Sequence, residues 1–366
     1  MIEADELAAW VRLLAAPGIG RESARKLLAC FGSPQGVLAA STASRAQVVG
    51  AAAVQALAQS GEEVDALVAA TQAWLAGADE ASPRSVITLG DPLYPAALLQ
   101  TADPPLLLYA QGRTALLAAP SLAVVGSRNP TPQGAENARA FARHLSDAGL
   151  TVVSGLAIGI DAAAHEGALQ GAASTIAVVG TGIDRVYPKR HFELAHRIAR
   201  EGLVLSEYPL GTPPLAGHFP ARNRVIAGLA RGTLVVEAAL PSGSLITARL
   251  ASEAGRDVFA IPGSIHSPLS RGCHSLIKQG AKLVETANDI LDELRWATPR
   301  EPTVSAQPGP ADALLEALGH DPVGLEALVA RTGWPAAELN IRLLELELCG
   351  SVARLPGQLF QHISRG

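Results

Sequence analysis

The sequence lacks several features that mark secreted, zinc-binding and membrane proteins. It has only three cysteines, Cys30, Cys273 and Cys349, which lie far apart and form no CxxC pair. This argues against a disulfide framework and a structural zinc site. Every apolar run ends well short of the roughly 18 residues that a membrane-spanning helix needs. Residues 1–14 are acidic rather than basic, unlike a signal peptide. We therefore expect a cytoplasmic protein without a membrane span.

Aromatic residues and net charge are also low. The 366 residues include 4 Trp, 4 Tyr and 6 Phe, and 29 basic against 34 acidic side chains give a net charge of −5. The chain is not basic overall, so a nucleic-acid site has to be a local patch. Residues 120–297 carry 17 basic and 15 acidic side chains, whereas the segments on either side are both net acidic. An anionic ligand is therefore expected in this middle segment.

The chain divides into four segments. Residues 1–80 are rich in alanine and lack β-branched runs, which favours a small helical domain of the SAM or helix-hairpin-helix type. Residues 81–297 alternate apolar strands with amphipathic helices, and residues 298–311 form a proline-rich linker. In residues 312–366, three helices precede a hairpin that turns at Pro356–Gly357, which predicts a winged helix. These helices are expected at Asp312–Leu318, Gly324–Arg331 and Ala336–Cys349.

Residues 81–297 are predicted to form an α/β domain. An isolated strand is expected at Ser85–Leu89, and the main strands at Leu122–Val125, Thr151–Val153, Thr175–Val179, Leu203–Leu205, Thr233–Val236, Val258–Ile261 and Lys282–Val284. Continuous apolar strands separated by helices indicate a parallel sheet that is covered on both faces. The expected architecture is an extended Rossmann-like, doubly wound, mostly parallel sheet. Such sheets bind their ligand outside the carboxyl ends of the strands, so the residues that follow each strand are candidates for the site.

The first of these strand ends carries Gly126, Ser127 and Arg128 ahead of a helix. A glycine and small hydroxyl residues before a helix leave backbone N–H groups at its positive end, which suits a phosphate. Arg128 adds a planar guanidinium for phosphate oxygens. The pattern fits equally well a tight strand-to-helix turn with a surface arginine.

The second strand ends in Ser154, Gly155 and a further glycine, followed by Asp161. Gly155 permits close backbone approach, and Asp161 is expected to cap or orient the next helix. A dinucleotide-binding enzyme would have an acidic residue at the end of this strand and GxGxxG spacing after the first one. Both features are missing, so the sequence predicts no nicotinamide cofactor.

Basic and aromatic residues follow the third strand. Gly180 and Gly182 open the backbone, and Lys189 is the favoured ligand contact within the basic cluster. Tyr187 and Phe192 stand beside it in a chain with few aromatics, which is typical of a base-stacking platform for single-stranded nucleic acid. Most aromatic rings pack in the core instead, and the sequence leaves both possibilities open.

Two further anion-binding elements follow the fourth and fifth strands. A long Pro- and Gly-containing loop leads to Arg222, Asn223 and Arg224, with no acidic residue between Glu207 and Glu237. The fifth strand is followed by Ser242, Gly243 and Ser244, another small-residue turn into a helix. Neither a GxxxxGK[ST] phosphate loop nor a GxSxG elbow occurs, and the nine histidines show no HExxH spacing. The sequence predicts no catalytic residue, no metal and no cofactor.

The ordered motifs GSRNPT, SGLAIGIDAAAH, GTGIDRVYP, SEYPLG, FPARNRVIAGL and SGSLITA resemble those of the DNA-processing protein DprA (Smf) family over roughly residues 85–295. The resemblance implies a cytoplasmic, non-catalytic homodimer that binds single-stranded DNA without sequence preference. It also implies that the protein protects incoming DNA and loads the recombinase RecA onto it during natural transformation. Carried over by motif, Arg128, Lys189 and Arg222 would contact the DNA.

Two features outside the central domain, the Pro17–Gly20 turn and the winged helix, each fit more than one function. The Pro17–Gly20 turn, followed by basic residues, resembles a helix-hairpin-helix element that could hold a phosphate, but it fits a structural helix corner at least as well. The last helix of the predicted winged helix carries three glutamates against Arg342. This negative charge opposes docking on DNA, so we interpret the domain as a partner or oligomer contact.

The alternative function is an enzyme that hydrolyses nucleoside monophosphates. A related Rossmann-like group does so with a PGGxGTxxE turn that contains an essential glutamate. Aligning Thr247 with the threonine of that pattern places Leu250 at the position of the glutamate, so the carboxylate is lost. Glu237 and Glu253 lie nearby in the sequence and keep this alternative open.

Overall fold

The computed structural model describes residues 2–58, 61–296 and 313–363. Its N-terminal part is a bundle of short helices whose apolar faces meet in one core with Trp10, Leu13 and Leu27. The helices are α1 (Ala4–Ala15), α2 (Arg21–Phe31), α3 (Pro34–Ala39), α4 (Thr42–Ala46), α5 (Ala51–Ala58) and α6 (Glu62–Ala76). Only α1 and α2 were expected individually.

The central part contains nine strands in one sheet. They are β1 (Arg84–Thr88), β2 (Leu107–Gly112), β3 (Ser121–Val125), β4 (Thr151–Ser154), β5 (Thr175–Val179), β6 (Leu203–Ser206), β7 (Gly232–Val235), β8 (Asp257–Ala260) and β9 (Lys282–Leu283). Their spatial order is β1-β2-β6-β5-β4-β3-β7-β8-β9. The strands from β6 to β9 in this order pair in parallel, whereas β1–β2 and β2–β6 are antiparallel.

Strand β3 lies at the point where the strand order reverses. From β3 the chain runs outward through β4, β5 and β6, and then returns to place β7 on the other side of β3. The loops that leave the carboxyl ends of β3 and β7 therefore diverge to opposite faces and open a crevice between them. This is the position where a doubly wound sheet binds its ligand.

Helices cover both faces of the sheet because the buried side chains of each strand alternate. Leu122 and Val124 of β3 face a core with one set of helices, whereas Ala123 and Val125 face the core on the other side. The helices of this region are α7 (Ala96–Leu99), α8 (Pro132–Asp147), α9 (Ile160–Ala168), α10 (Phe192–Glu201), α11 (His218–Leu229), α12 (Gly243–Glu253), α13 (Arg271–Lys278) and α14 (Ala287–Glu293). The predicted doubly wound, mostly parallel sheet is confirmed.

The strand that sequence reasoning missed is β2. Its sequence, LLYAQG, follows a Pro-Pro pair directly and has no helical segment between it and the preceding turn. In the structure it pairs antiparallel with both β1 and β6, so it extends the parallel sheet at its edge without a crossover helix.

The C-terminal part is a winged helix, as predicted. Helices α15 (Ala313–Leu318), α16 (Leu325–Thr332) and α17 (Ala336–Leu348) pack with a small sheet of strands β10 (Val323–Gly324), β11 (Val352–Leu355) and β12 (Leu359–His362). Helix α17 leaves Ile341, Leu344 and Leu348 exposed. The interpretation of this domain as a partner contact stays a prediction. The predicted linker at residues 298–311 lies outside the described residues.

Among the described residues, no helix combines the length and the apolar character that a membrane span requires.

Candidate functional site

A cavity of about 650 Å³ opens at the carboxyl ends of β3 and β7, at the position that the strand order indicates. It is lined by residues from loops that are more than one hundred positions apart in the sequence. Eight of the thirteen predicted site residues line it: Gly126, Ser127, Arg128, Arg222, Asn223, Ser242, Gly243 and Ser244. The structure thus brings the first, fourth and fifth strand-end motifs into one crevice, which we call the β3–β7 crevice.

Arg128 is the exposed cation of this crevice. Its guanidinium carbon lies 5.9 Å from the centroid of the Phe219 ring, and Phe219 packs against Tyr187 with ring centroids 5.6 Å apart. Within the described residues, no carboxylate lies within 4.0 Å of the Arg128 guanidinium. Its charge is therefore available to an anion, and a partly exposed ring pair stands beside it.

The turn that carries Arg128 is held by Glu237, which follows β7. The backbone N–H of Thr131 donates to one carboxylate oxygen of Glu237 at 2.9 Å, and the Thr131 hydroxyl donates to the other at 2.6 Å. The same hydroxyl accepts from the N–H of Gly134 and so caps α8. A Cβ on Gly134 would lie 2.4 Å from the carboxylate, so any larger residue there would displace Glu237. Burial raises the pKa of Glu237, and the Thr131 donors oppose this shift.

The positions of Glu237 and Glu253 are relevant to the alternative function, the hydrolysis of nucleoside monophosphates. Both oxygens of Glu237 accept hydrogen bonds from Thr131, and exposed Glu253 pairs with Arg249 on α12 at 3.5 Å. Neither carboxylate lines the β3–β7 crevice. The carboxylate that does line it among the described residues is Asp161, whose Oδ2 accepts two backbone N–H groups.

Arg222 lies beneath the crevice rather than at its mouth. It begins the second turn of α11 and is 5% exposed. Its Nη1 donates to the carbonyl oxygen of Gly155 at 2.7 Å and to that of Val178. A Cβ on Gly155 would lie 2.6 Å from the guanidinium, so Gly155 makes room for the arginine. The buried Nε has no hydrogen-bond partner among the described residues.

Asp161 and Arg222 are both buried and act on each other electrostatically, although no ion pair within 4.0 Å joins them among the described residues. Burial raises the pKa of Asp161, while Arg222 and the N–H groups of Ala157 and Gly155 oppose that shift. Burial lowers the pKa of Arg222 to about 10, and the charge of Asp161 opposes this shift. The guanidinium therefore remains protonated at neutral pH and contributes positive potential to the crevice.

The turn after β4 is fixed by a buried histidine. Thr175 uses its hydroxyl proton to bond the Val152 carbonyl, so this hydroxyl oxygen accepts from Nδ1 of His165 at 2.7 Å. Nε2 of His165 is then unprotonated and accepts from the N–H of Leu156 at 3.3 Å. Burial, followed by the charges of His191 and Arg222, lowers the pKa of His165 to about 3. His165 is a structural residue that is neutral in the folded protein.

This neutral histidine makes stability depend on pH. His165 binds a proton in the unfolded chain at about pH 6.5 but in the folded chain only near pH 3, so the unfolded state binds more protons between these values. We expect the free energy of unfolding to fall by about 2 kcal/mol, from this group alone, between about pH 7.5 and about pH 5. Urea unfolding at both pH values measures the difference.

The control for this prediction is His165→Gln, which removes the titrating group. The variant is expected to be less stable at both pH values but to lose about 2 kcal/mol less than the wild type on acidification. An equal loss in both proteins would show that His165 does not cause the pH dependence.

The start of α12 forms the opposite side of the crevice. Ser242 precedes the helix, and its hydroxyl lies 2.6 Å from that of Ser244. Gly243 has open space around its Cα. Asn223 ties this turn to α11, because its Nδ2 donates to the Gly243 carbonyl at 3.3 Å. The positive end of an eleven-residue helix therefore faces the same crevice as Arg128 and Arg222.

Lys189 lies at a second cavity of about 600 Å³, which we call the α10 cavity. The lysine is exposed at the start of α10, and half-exposed Phe192 lines the same cavity. The α10 cavity and the β3–β7 crevice share a wall that is formed by two chain segments. In each segment, one residue lines the α10 cavity and the next residue lines the crevice. Leu156 and Val186 line the α10 cavity, and Ala157 and Tyr187 line the crevice.

Three of the predicted glycines provide space for neighbouring groups rather than N–H donors for a ligand. The N–H of Gly155 donates to Asp161 at 3.1 Å, and that of buried Gly182 donates to the Thr212 carbonyl at 3.0 Å. Gly180 is buried against the Phe219 ring, and a Cβ on Gly180 would lie 3.1 Å from the nearest ring carbon. These glycines let the strand-end loops pack closely, so that the rings and arginines can reach the crevice.

Arg224 does not line either cavity. Its guanidinium pairs with Glu207 and, at 3.2 Å, with Asp103. Arg21 and Arg25 of α2 pair with the same Asp103 at 2.7 and 2.5 Å. The arginines after the Pro17–Gly20 turn therefore contact the central domain, as in a structural helix corner. The binding of DNA by Arg224 stays a prediction. The charge of this side chain is already paired with Glu207 and Asp103.

Sequence reasoning assigned no role to Phe219, Thr131 or His165's partner Thr175. For Phe219 a signal was available, since it is one of six phenylalanines and lies three residues before Arg222 in a long loop. The roles of Thr131 and Thr175 depend on hydrogen-bond partners that only the fold brings close.

The fold and the crevice define an α/β protein with a doubly wound sheet, whose switch-point crevice presents an exposed arginine and a helix N-terminus. The model of the family described as DNA recombination-mediator protein A matches residues 85–295, and that of the DprA winged helix domain matches residues 298–358. Protein Smf of Escherichia coli is 44% identical over 275 residues, which cover 72% of this chain and 74% of the relative. The chain belongs to the DprA (Smf) family.

Solved structures agree with this assignment. The X-ray structure of DNA processing protein A from Streptococcus pneumoniae is 41% identical, covers 78% of this chain and 97% of its own, and superposes with a TM-score of 0.69. The structure of DNA processing protein A from Helicobacter pylori is 33% identical, covers 58% of this chain and 95% of its own, and has a TM-score of 0.53. The latter was reported for its single-stranded DNA binding mode.

Proposed function

We propose that the protein binds single-stranded DNA, without sequence preference, along the β3–β7 crevice and the α10 cavity. The observation that carries this proposal is the exposed guanidinium of Arg128, which has no carboxylate partner among the described residues and lies beside the Tyr187–Phe219 ring pair, opposite the N-terminus of α12. A cation, a helix N-terminus and exposed rings together match a phosphate and an adjoining base. The relative from Helicobacter pylori binds single-stranded DNA, which supports the same ligand here.

The α10 cavity supplies the next contact along the strand. Lys189 offers a second exposed cation, and the half-exposed ring of Phe192 offers a surface for stacking. Because the two cavities share one wall, one flexible single strand can contact both Arg128 and Lys189. A duplex is stiffer and keeps its bases stacked inside, so it cannot use the rings in this way.

The absence of sequence preference follows from the chemistry of these groups. Arginine, lysine and helix N–H groups bind phosphates, which are the same in every nucleotide, and ring stacking tolerates every base. We infer that the protein has no catalytic step. Among the described residues, the carboxylate that lines the crevice, Asp161, is engaged by two N–H groups and faces buried Arg222.

The wider role is inferred from the family. We propose that the protein acts as a homodimer that protects incoming single-stranded DNA and loads RecA onto it during natural transformation and recombination, in the cytoplasm. Curated relatives carry the name DNA processing protein DprA, including one that is 53% identical over 206 residues. Dimerisation would join two DNA sites and raise the affinity for long strands through a higher effective concentration.

Fluorescence anisotropy with labelled oligo(dT) and with a duplex of equal length tests the proposed ligand. We expect tighter binding to the single strand, with log affinity falling by about 0.7 per phosphate contact for each unit of log salt. Arg143→Ala is a matched control, since Arg143 is an exposed arginine on α8 that lines neither cavity. Equal affinity for both DNAs, or no binding, would refute the proposal, and release of bases from nucleoside monophosphates would then be assayed.

A further inference from the structure

A hydrogen bond links the two segments that form the wall between the β3–β7 crevice and the α10 cavity. Leu156 and Ala157 contribute to this wall from the turn after β4, and Val186 and Tyr187 contribute from the segment after β5. Nδ1 of His191 lies 3.0 Å from the carbonyl oxygen of Leu156. A carbonyl can only accept, so the imidazole donates from Nδ1.

The acceptor of this bond belongs to an unusual residue. Leu156 has a φ of 55°, in the left-handed region of the backbone that residues other than glycine rarely adopt. Its side chain is 1% exposed and packs in the core. Its N–H is taken by His165 and its carbonyl by His191, so both polar backbone groups are satisfied from opposite sides. The bond from His191 therefore acts on a turn that has little freedom to move.

His191 in turn belongs to the segment that carries Lys189. The two residues form one short 3₁₀ turn, Lys189–His191, directly before α10. Among the described residues, the bond to Leu156 is the one side-chain hydrogen bond that ties this turn to the loop after β4. Lys189 and Arg190 on the same turn are exposed. Anchoring the turn at His191 thus fixes the place from which the Lys189 ammonium reaches a ligand.

We propose that His191 is a positioning residue that sets the spacing between the phosphate contacts at Arg128 and Lys189 by holding the Lys189 turn against Leu156. This inference rests on the proposed function, because it assumes that one DNA strand contacts both cations. His191 itself touches no phosphate. With the anchor lost, each cation still binds alone, but one strand no longer engages both at the same low entropic cost.

Two variants separate positioning from direct contact. In His191→Ala the donor is lost, whereas in His191→Asn the side-chain amide reproduces a donor near the position of Nδ1. We expect His191→Ala to weaken binding of an oligo(dT) of about 20 nucleotides by about fivefold, and His191→Asn to stay within about twofold of the wild type. An oligonucleotide too short to span both cavities is expected to bind both variants like the wild type.

A double-mutant cycle with Lys189→Ala provides the decisive readout. If His191 acts through Lys189, adding His191→Ala to Lys189→Ala weakens binding by less than about twofold further. Additive losses would overturn the inference and indicate a separate contact. Equal weakening by His191→Ala and His191→Asn would also overturn it, because the imidazole itself would then bind the DNA.

The same binding measurements distinguish the positioning role of His191 from DNA binding by the protein as a whole. Wild-type protein that does not bind single-stranded DNA would overturn both. Wild-type binding with an unchanged His191→Ala would overturn the positioning role alone. Amide hydrogen exchange checks the same step without DNA, since peptides covering residues 185–192 are expected to exchange faster in His191→Ala than in His191→Asn. Equal exchange in the two variants would count against the anchor.

Discussion

Replacing Arg128 with alanine is expected to weaken binding of single-stranded DNA by about tenfold or more, and by a similar factor for every sequence. The side chain is exposed and has no carboxylate partner among the described residues, so its charge is available to a phosphate. A hydrogen bond to a charged group contributes about 1.5–3 kcal/mol, which corresponds to a loss of tenfold or more. The slope of log affinity against log salt is expected to fall by about 0.7. Anisotropy with oligo(dT) and with mixed sequences measures both quantities.

Two further variants control for this result. Arg128→Lys keeps the charge but loses the planar, bidentate guanidinium, so we expect a wild-type salt slope with intermediate affinity. Arg143→Ala removes an exposed arginine outside both cavities and is expected to bind like the wild type. A change in sequence preference with an unchanged salt slope would show that Arg128 reads bases rather than phosphates.

Replacing Arg222 with alanine is expected to act first on stability. The change removes the donor to the Gly155 and Val178 carbonyls and leaves the Asp161 carboxylate buried without its opposite charge. Leaving a buried acceptor without its donor costs about 1–3 kcal/mol. The free energy of unfolding, measured by urea denaturation at neutral pH, is expected to fall by about this amount. DNA binding should fall as well, since the turn after β4 loses one of its anchors.

Arg128→Ala is the matched control for stability, because surface substitutions usually change it by less than about 0.5 kcal/mol. Combining Arg222→Met with Asp161→Asn should cost less than the sum of the single changes, because the charge of each group acts on the other. If Arg222→Ala is as stable as the wild type yet fails to bind DNA, the arginine serves the ligand rather than the fold.

The order and type of the main elements could be predicted because they depend on local patterns. The stretch from Leu122 to Val125 is continuously apolar and is followed by Gly126 and a helix that begins with a proline, which predicts a buried strand and its turn. The strand Leu107–Gly112 lies between the edge strand Arg84–Thr88 and the strand Leu203–Ser206, and it was missed because this antiparallel pairing on both sides depends on tertiary contacts.

The candidate site was predicted only in part, and the three arginines show why. All of them follow strands and look alike in sequence, yet Arg128 is exposed, Arg222 is buried under the crevice and Arg224 is paired with Glu207 and Asp103. The sequence by itself determined the sheet, the helix order and the family, because apolar periodicity and turn residues act over short distances. Only the tertiary structure decided which of these cations is exposed at the crevice and which is buried or paired. A side chain's burial and partners depend on residues that packing brings together, such as Gly155 and Val178 for Arg222.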